Sequence, residues 1–173
     1  MMRRTNTRKL AISGMLTGLV LLATFALRLP VQPAQGYIHL GDTFILFSAL
    51  LVGPSAAFIG AVGSAMADLM AGYAVYVLPT LAIKGLCGWI AGTWARRDDP
   101  HAMTRCAMAF GTAELYMALG YALFEGLSFG LPAALGALPA NLLQGGVSAV
   151  LACMLLPVAR RIAPLLTRGG KPL

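Results

Sequence analysis

Hydrophobic and polar residues fall in long blocks along this chain. After the basic start MMRRTNTRK there is no charge from Leu10 to Leu27. That run is long for a signal-peptide core and close to the length of a membrane span. It predicts a first helix over about 9–29, stopped by Pro30. The stretch RLPVQPAQGYIHLGD, residues 28–42, is broken by prolines and glycines and reads as a loop. Thr43 to Ala67 is again uncharged, with Gly53-Pro54 near its middle. That dipeptide turns the chain and predicts two short helices, about 43–52 and 54–71. The loop AGYAVYVLP follows, with Pro79 placed to open a fourth helix over about 79–95.

The segment ARRDDPHAMTR, residues 95–105, is the one strongly polar connection. A fifth helix is expected over about 104–126. The uncharged tail from Gly126 to Ala159 would be about 50 Å long as one helix at ~1.5 Å per residue. A bilayer core is about 30 Å thick, so Gly130-Leu131-Pro132 is expected to turn the chain. A sixth helix then runs over about 133–160, closed by Arg160 and Arg161. No repeat and no domain linker interrupts residues 1–173.

Composition turns this pattern into a class. Hydrophobic residues make up 58%, charged residues 11%, and mean hydropathy is +0.77. A soluble domain carries about 25% charge. An ordinary soluble enzyme, a disordered chain and a disulfide-stapled module are excluded. The expectation is an all-α integral membrane protein of six transmembrane helices in one domain. The net charge of +7 does not mark a nucleic-acid partner, because the basic residues sit at the ends of apolar runs. Six crossings place Arg3, Arg4, Arg8, Lys9, Arg96, Arg97, Arg105, Arg160, Arg161, Arg168 and Lys171 on one side. Those eleven of 13 basic residues predict that both termini are cytoplasmic. Cys87, Cys106 and Cys153 show neither disulfide nor metal-ligand spacing. No metal or other cofactor is expected.

This topology assigns a depth to each polar group. Asp68 falls near the outer end of the third helix, and Lys84 in the outer half of the fourth. Glu114 lies near mid-depth in the fifth, with Tyr116 above it. Asn141 and Gln144 lie in the outer half of the sixth. Tyr37, His39 and Asp42 stand at the outer mouth, and Tyr73 and Tyr76 in the next outer loop. A charge at the centre of a spanning helix costs about 2.5–3.5 kcal/mol on insertion scales. Asp68, Lys84 and Glu114 are therefore expected to face each other, water or a ligand. An internal Asp68–Lys84 ion pair that only fixes packing is the competing reading, as are interfacial belt positions for the tyrosines. The gathering of polar groups at one level favours an outward-facing pocket. Gly14 and Gly18, like Gly88 and Gly92, are spaced for close helix approach. No GxxxxGK[ST], HExxH or GxSxG motif occurs, so energised transport would need partners.

The stretch GYIHLGDTFILFSALLVGPSAAFIGAVGSAMADLMAGYAVYVLPTLAIKGLCG, residues 36–88, resembles the substrate-binding S components of energy-coupling-factor (ECF) vitamin transporters. The nearest likeness is to the riboflavin-type group, which includes carriers for pyridoxine and hydroxymethylpyrimidine. The matching features are the Gly-Asp start of the second helix, the Gly-Pro turn, the Ala-Asp pair, the Gly-Tyr loop and the Ile-Lys-Gly of the fourth helix. The last two helices fit by hydropathy more than by motif. The resemblance implies a prokaryotic cell-membrane protein that binds a vitamin near the extracellular face, under loops that cap the site. It implies a transmembrane coupling (T) component and two ATPase subunits as partners, and delivery by tipping of the S component in the membrane. It also implies docking through two alanines four apart on the first helix. Here Ala11 is followed by Met15, so Gly14 and Gly18 are the expected substitutes.

The substrate stays open between riboflavin, which wants a wide aromatic cavity, and a smaller pyridine or pyrimidine. Two readings from other classes stand beside it. One is a membrane-embedded enzyme acting on a lipid, with Asp68, Glu114 and His39 as acid–base groups. The other is a structural subunit of a membrane complex.

Overall fold

The computed structural model describes residues 2–26, 28–30, 37–95, 97–99 and 101–166. The described chain is almost wholly helical: α1 (Met2–Ala26), α2 (Gly41–Val52), α3 (Ala56–Met70), α4 (Val77–Trp94), α5 (Ala102–Phe129), α6 (Leu131–Met154) and α7 (Leu156–Leu166). Between α1 and α2, Leu29–Pro30 (β1) pairs antiparallel with Tyr37–Ile38 (β2). Five segments are long and apolar enough to cross a membrane: Thr7–Ala26, Gly41–Met70, Ala74–Trp94, Ala102–Phe129 and Leu131–Met154. Large apolar side chains such as Leu22, Phe58, Leu78, Leu123 and Val150 are exposed on the outside of the bundle, as lipid-facing residues are.

The six expected crossings thus meet five qualifying segments, and the difference lies at Gly41–Met70. That segment reverses at Gly53, whose φ of +62° suits glycine, and Pro54 supplies no amide donor. Its halves of 12 and 15 residues are about 18 and 22 Å long. The α3–α4 seam fixes their direction. A Cβ on Gly88 would lie 2.5 Å from the Ala56 carbonyl oxygen, and one on Gly92 would strike the Gly53 carbonyl. Further along, Gly60 abuts the Lys84 carbonyl. Hence α3 runs antiparallel to α4. Asp42 meets Lys84, and Arg97 donates to the Leu50 carbonyl, so α2 runs parallel to α4.

The remaining helices also alternate in direction. Val20 packs at Gly63, Ile83 at Gly120, and Glu114 at Gly145. One end of the bundle gathers Arg8, which donates to the Leu165 carbonyl, and Arg160, which donates to the Arg97 carbonyl. The apolar core, with Val20, Ile45, Leu46, Leu50, Ile59, Phe110 and Met117, lies between that end and a polar layer.

Several boundaries differ from expectation, the fifth helix among them, which runs over Ala102–Phe129. The first helix begins at Met2 and its described part ends at Ala26. The fourth begins at Val77, so Pro79 falls inside the first turn, where no helical hydrogen bond is lost. The sixth ends at Met154, not near 160. Pro157 cannot donate to the carbonyl four residues back, and the chain restarts as α7. The Gly130 turn stands as expected, with φ +91°.

Candidate functional site

Opposite the arginine-rich end, His39, Asp68, Tyr73, Tyr76, Thr80, Tyr121, Glu125, Asn141 and Gln144 line a cavity of about 40 Å³. That is room for a few water molecules; small-molecule sites usually offer about 300–1,000 Å³. The side chains are held against one another. Tyr76 packs on Tyr73, Tyr121, Phe124 and Phe129, with ring centroids 5.3–6.4 Å apart. Its hydroxyl donates to Glu125 Oε1 at 3.1 Å. Tyr121 and Thr80 share a hydroxyl hydrogen bond of 2.8 Å. The other Glu125 oxygen, Oε2, is buried and accepts no hydrogen bond among the described residues.

A second polar layer lies directly beneath. Lys84 Nζ donates to both oxygens of Asp42 at 2.7 Å. Gln144 Nε2 donates to Asp42 Oδ2 at 2.6 Å, and its Oε1 accepts the His39 backbone N–H at 2.9 Å. Lys84 also stands 5.2 Å from the centre of the Tyr121 ring, within cation–π range. The pair is sealed from solvent, at 1% and 0% exposure. Gln144 therefore bridges α6, the turn before α2 and the ion pair, and both ends of its amide are occupied.

His39 is fixed from the same side. Its Nδ1 accepts the Gly41 N–H at 3.0 Å, which assigns the neutral ring's proton to Nε2. Burial pushes its imidazole down to about 4, with Asp42 pulling it up and Lys84 down. Gly41 itself has no room for a side chain, because a Cβ would strike Thr24. Glu114 is deeper still. Its Oε1 accepts from the Cys87 thiol at 3.8 Å, and it packs against Gly145.

The expected site residues thus separate. His39, Asp68, Tyr73, Tyr76, Asn141 and Gln144 share the cavity wall. Asp42, Lys84 and Glu114 lie below it. The partner of Lys84 is Asp42, not Asp68, because α2 rather than the outer end of α3 lies level with Lys84. Tyr116 packs against the hydrophobic core, away from the cavity. For Tyr37 the description covers its backbone pairing with Pro30, and its side chain lies outside the described residues. On α1, Ala11 and Gly14 are exposed. Added Cβ atoms at Gly14 and Gly18 would meet nothing within 4 Å.

Three wall residues were not among those expected: Thr80, Tyr121 and Glu125. Helical spacing carried the signal. Thr80 lies one turn above Lys84, and Tyr121 and Glu125 lie two and three turns above Glu114 on α5. A second hollow, of about 550 Å³, lies at the other end, between Leu50, Gly53, Gly92, Arg97 and Arg105. Its charges are already paired, Arg97 with Asp98 and Arg105 with Asp99.

Residues 4–161 match the family described as ECF-type riboflavin transporter, S component. The thiamine precursor transporter HmpT of Lactococcus lactis subsp. cremoris (strain MG1363) is 30% identical over 164 residues, covering 93% of each chain. An uncharacterised protein of Pyrococcus woesei is 37% identical over 103 residues, 59% of this chain and 68% of its own. The chain belongs to the family of ECF-type transporter S components, multi-pass proteins of the prokaryotic cell membrane.

Proposed function

We propose that this chain captures a small, single-ring vitamin precursor at the His39–Gln144 cavity, as the substrate-specific subunit of an ECF-type importer. The observation that carries the reading is the cavity wall: three tyrosines, two carboxylates and two amides around about 40 Å³. A pyridine or pyrimidine of the pyridoxine or hydroxymethylpyrimidine type would need a modest outward movement of the Tyr76 turn. Riboflavin, with three fused rings and a polyol tail, would need a far larger one. The name of the L. lactis relative, a thiamine precursor transporter, favours the smaller class.

The arginine-rich end faces the cytoplasm in this reading, by the excess of Lys and Arg on cytoplasmic loops. The helices then make six crossings, both termini are cytoplasmic, and the cavity opens outward. Asp68, Tyr73, Tyr76 and Asn141 contact the ligand beneath the turn bearing Tyr37 and His39. Asp42, Lys84 and Gln144 hold the floor. Because the sequence carries no phosphate-binding loop, ATP is hydrolysed by two ATPase partners. They act through a transmembrane coupling subunit that docks on the open α1 face at Ala11, Gly14 and Gly18.

Calorimetry on the detergent-purified protein tests the capture step with riboflavin, pyridoxine, hydroxymethylpyrimidine and thiamine. A single-ring compound is expected to bind below about 1 μM, near −8 kcal/mol, and riboflavin more weakly. Failure of all four to reach that affinity refutes the reading.

A further inference from the structure

We propose that Glu125 anchors the ligand by accepting an N–H, so that the cavity selects an amino-bearing ring and rejects phosphorylated forms. This rests on the capture reading above and names the chemistry of its ligand.

Glu125 stands near the outer end of α5 and is 3% exposed. Tyr76 holds one oxygen in place, while Oε2 is buried on the cavity wall without a donor. A buried acceptor left unmade is unfavourable, and a partner that brings a donor relieves it. The neighbours on the wall do not fill the role. The Tyr76 hydroxyl is committed to Oε1, the Gln144 amide to Asp42, and Tyr121 to Thr80. A ligand amino group would complete the set, and an oxo group in its place would bring acceptor against acceptor.

Charge sharpens the same choice. Among the described residues the wall carries two carboxylates, Asp68 and Glu125, and no Lys or Arg. The cation closest beneath, Lys84, is closed off by Asp42 on both oxygens. His39 offers no compensating charge in its neutral form. A phosphate ester would place a dianion beside two carboxylates in a water-poor site, where repulsion is strong. A neutral or cationic amino-bearing ring would meet complementary charge.

Three probes test this by calorimetry on the full-length protein: the amino-bearing hydroxymethylpyrimidine, its counterpart with oxo in place of amino, and its phosphate ester. The wild type is expected to favour the amino compound over the oxo compound by about tenfold, the effect of one such hydrogen bond. It should favour the amino compound over the ester by more. Glu125→Gln keeps an acceptor for the Tyr76 hydroxyl and sets an NH₂ where Oε2 stood, so the amino-to-oxo preference should vanish or invert. An unchanged preference in Glu125→Gln overturns the proposal, as does a wild type that binds the ester as well as the free compound. If the variant does not fold, the wild-type ratios decide, and equal binding of amino and oxo compounds overturns it. A wild type that binds pyridoxine but none of the three probes overturns this inference and leaves the capture reading standing. One that binds no compound at all sinks both.

Discussion

Beneath the cavity, Asp42 carries a donor on each oxygen, Lys84 spans both, and Gln144 uses both ends of its amide. On the cavity wall, Glu125 carries a donor on one oxygen and leaves the other bare. Asp42, Lys84, Gln144 and Glu125 all sit buried among apolar helices, while Tyr73, Tyr121 and Asn141 on the wall are half-buried. They differ in whether the chain completes its own polar groups. A buried charge is tolerated when it is paired and hydrogen-bonded. The Asp42–Lys84–Gln144 set meets that condition from within and acts as a structural floor, although Glu114, deeper still, also leaves Oε2 without a donor among the described residues. The wall does not, and in the proposed function the missing donor comes from the ligand. Residue type is alike in the two layers and does not separate floor from wall; what sets Glu125 apart from Glu114, which also leaves one oxygen bare, is that Glu125 lines the cavity.

The strongest way to break the comparison is to open the floor. Lys84→Met removes the donor shared by both Asp42 oxygens and leaves a buried carboxylate with Gln144 alone. Breaking one half of a buried pair costs about 3–5 kcal/mol. The thermal midpoint of the purified protein in detergent should fall by many degrees, or the variant should not be recovered folded. Lys84→Met combined with Asp42→Asn should regain part of the loss, because no charge is then left unpaired. A single Lys84→Met protein as stable as the wild type would show that the lower layer is not a structural floor.

A smaller effect comes from the turn that joins the two layers. The buried imidazole of His39 is held down to about 4, against about 6.5 in an unfolded chain. Between those values the unfolded state binds more protons than the folded state. The contribution is fully present above about pH 6.5, is lost as pH falls toward 4, and reaches about 3 kcal/mol at most. His39→Asn keeps an acceptor within reach of the Gly41 N–H and removes the titration. Thermal midpoints between pH 7 and pH 4 should fall less for His39→Asn than for the wild type. Parallel curves would place the pH dependence elsewhere.

The main features of the fold were open to reading because they depend on local chemistry. Uncharged runs mark the helices, and Gly53-Pro54 and Gly130 mark the reversals by backbone geometry alone. The end of α6 was missed because length and hydropathy run straight through Leu155, while Pro157 acts through a single missing donor. The site was harder. The ion pair expected for Lys84 was with Asp68, and Asp42 meets it instead, because the partner depends on how the helices slide past one another. The close contacts of Gly60, Gly88 and Gly92 fix how α3 and α4 slide past each other, and that tertiary register leaves Asp68 beyond the level of Lys84. Tyr121 and Glu125 follow from Glu114 by whole turns of one helix, so they were legible. Tyr116 was misplaced because two residues along a helix turn about 200° away from the starting face.

The finest test returns to the wall. Asp68 lines the cavity and is buried near the end of α3, while Asp42 holds Lys84 beneath it. Asp68→Asn keeps the shape and removes the charge. If Asp68 faces an amino-bearing ligand, affinity by calorimetry should weaken by about tenfold or less, near 1 kcal/mol. The thermal midpoint without ligand should fall far less than for Lys84→Met, because the isosteric amide keeps the shape and leaves no buried charge unpaired. The difference between midpoints with and without ligand should shrink accordingly. The pairing of effects matters more than either alone: affinity lost at constant stability belongs to a wall residue, and stability lost with affinity following it belongs to the floor. An Asp68→Asn protein that melts as early as Lys84→Met would place Asp68 in the lower layer and erase the distinction.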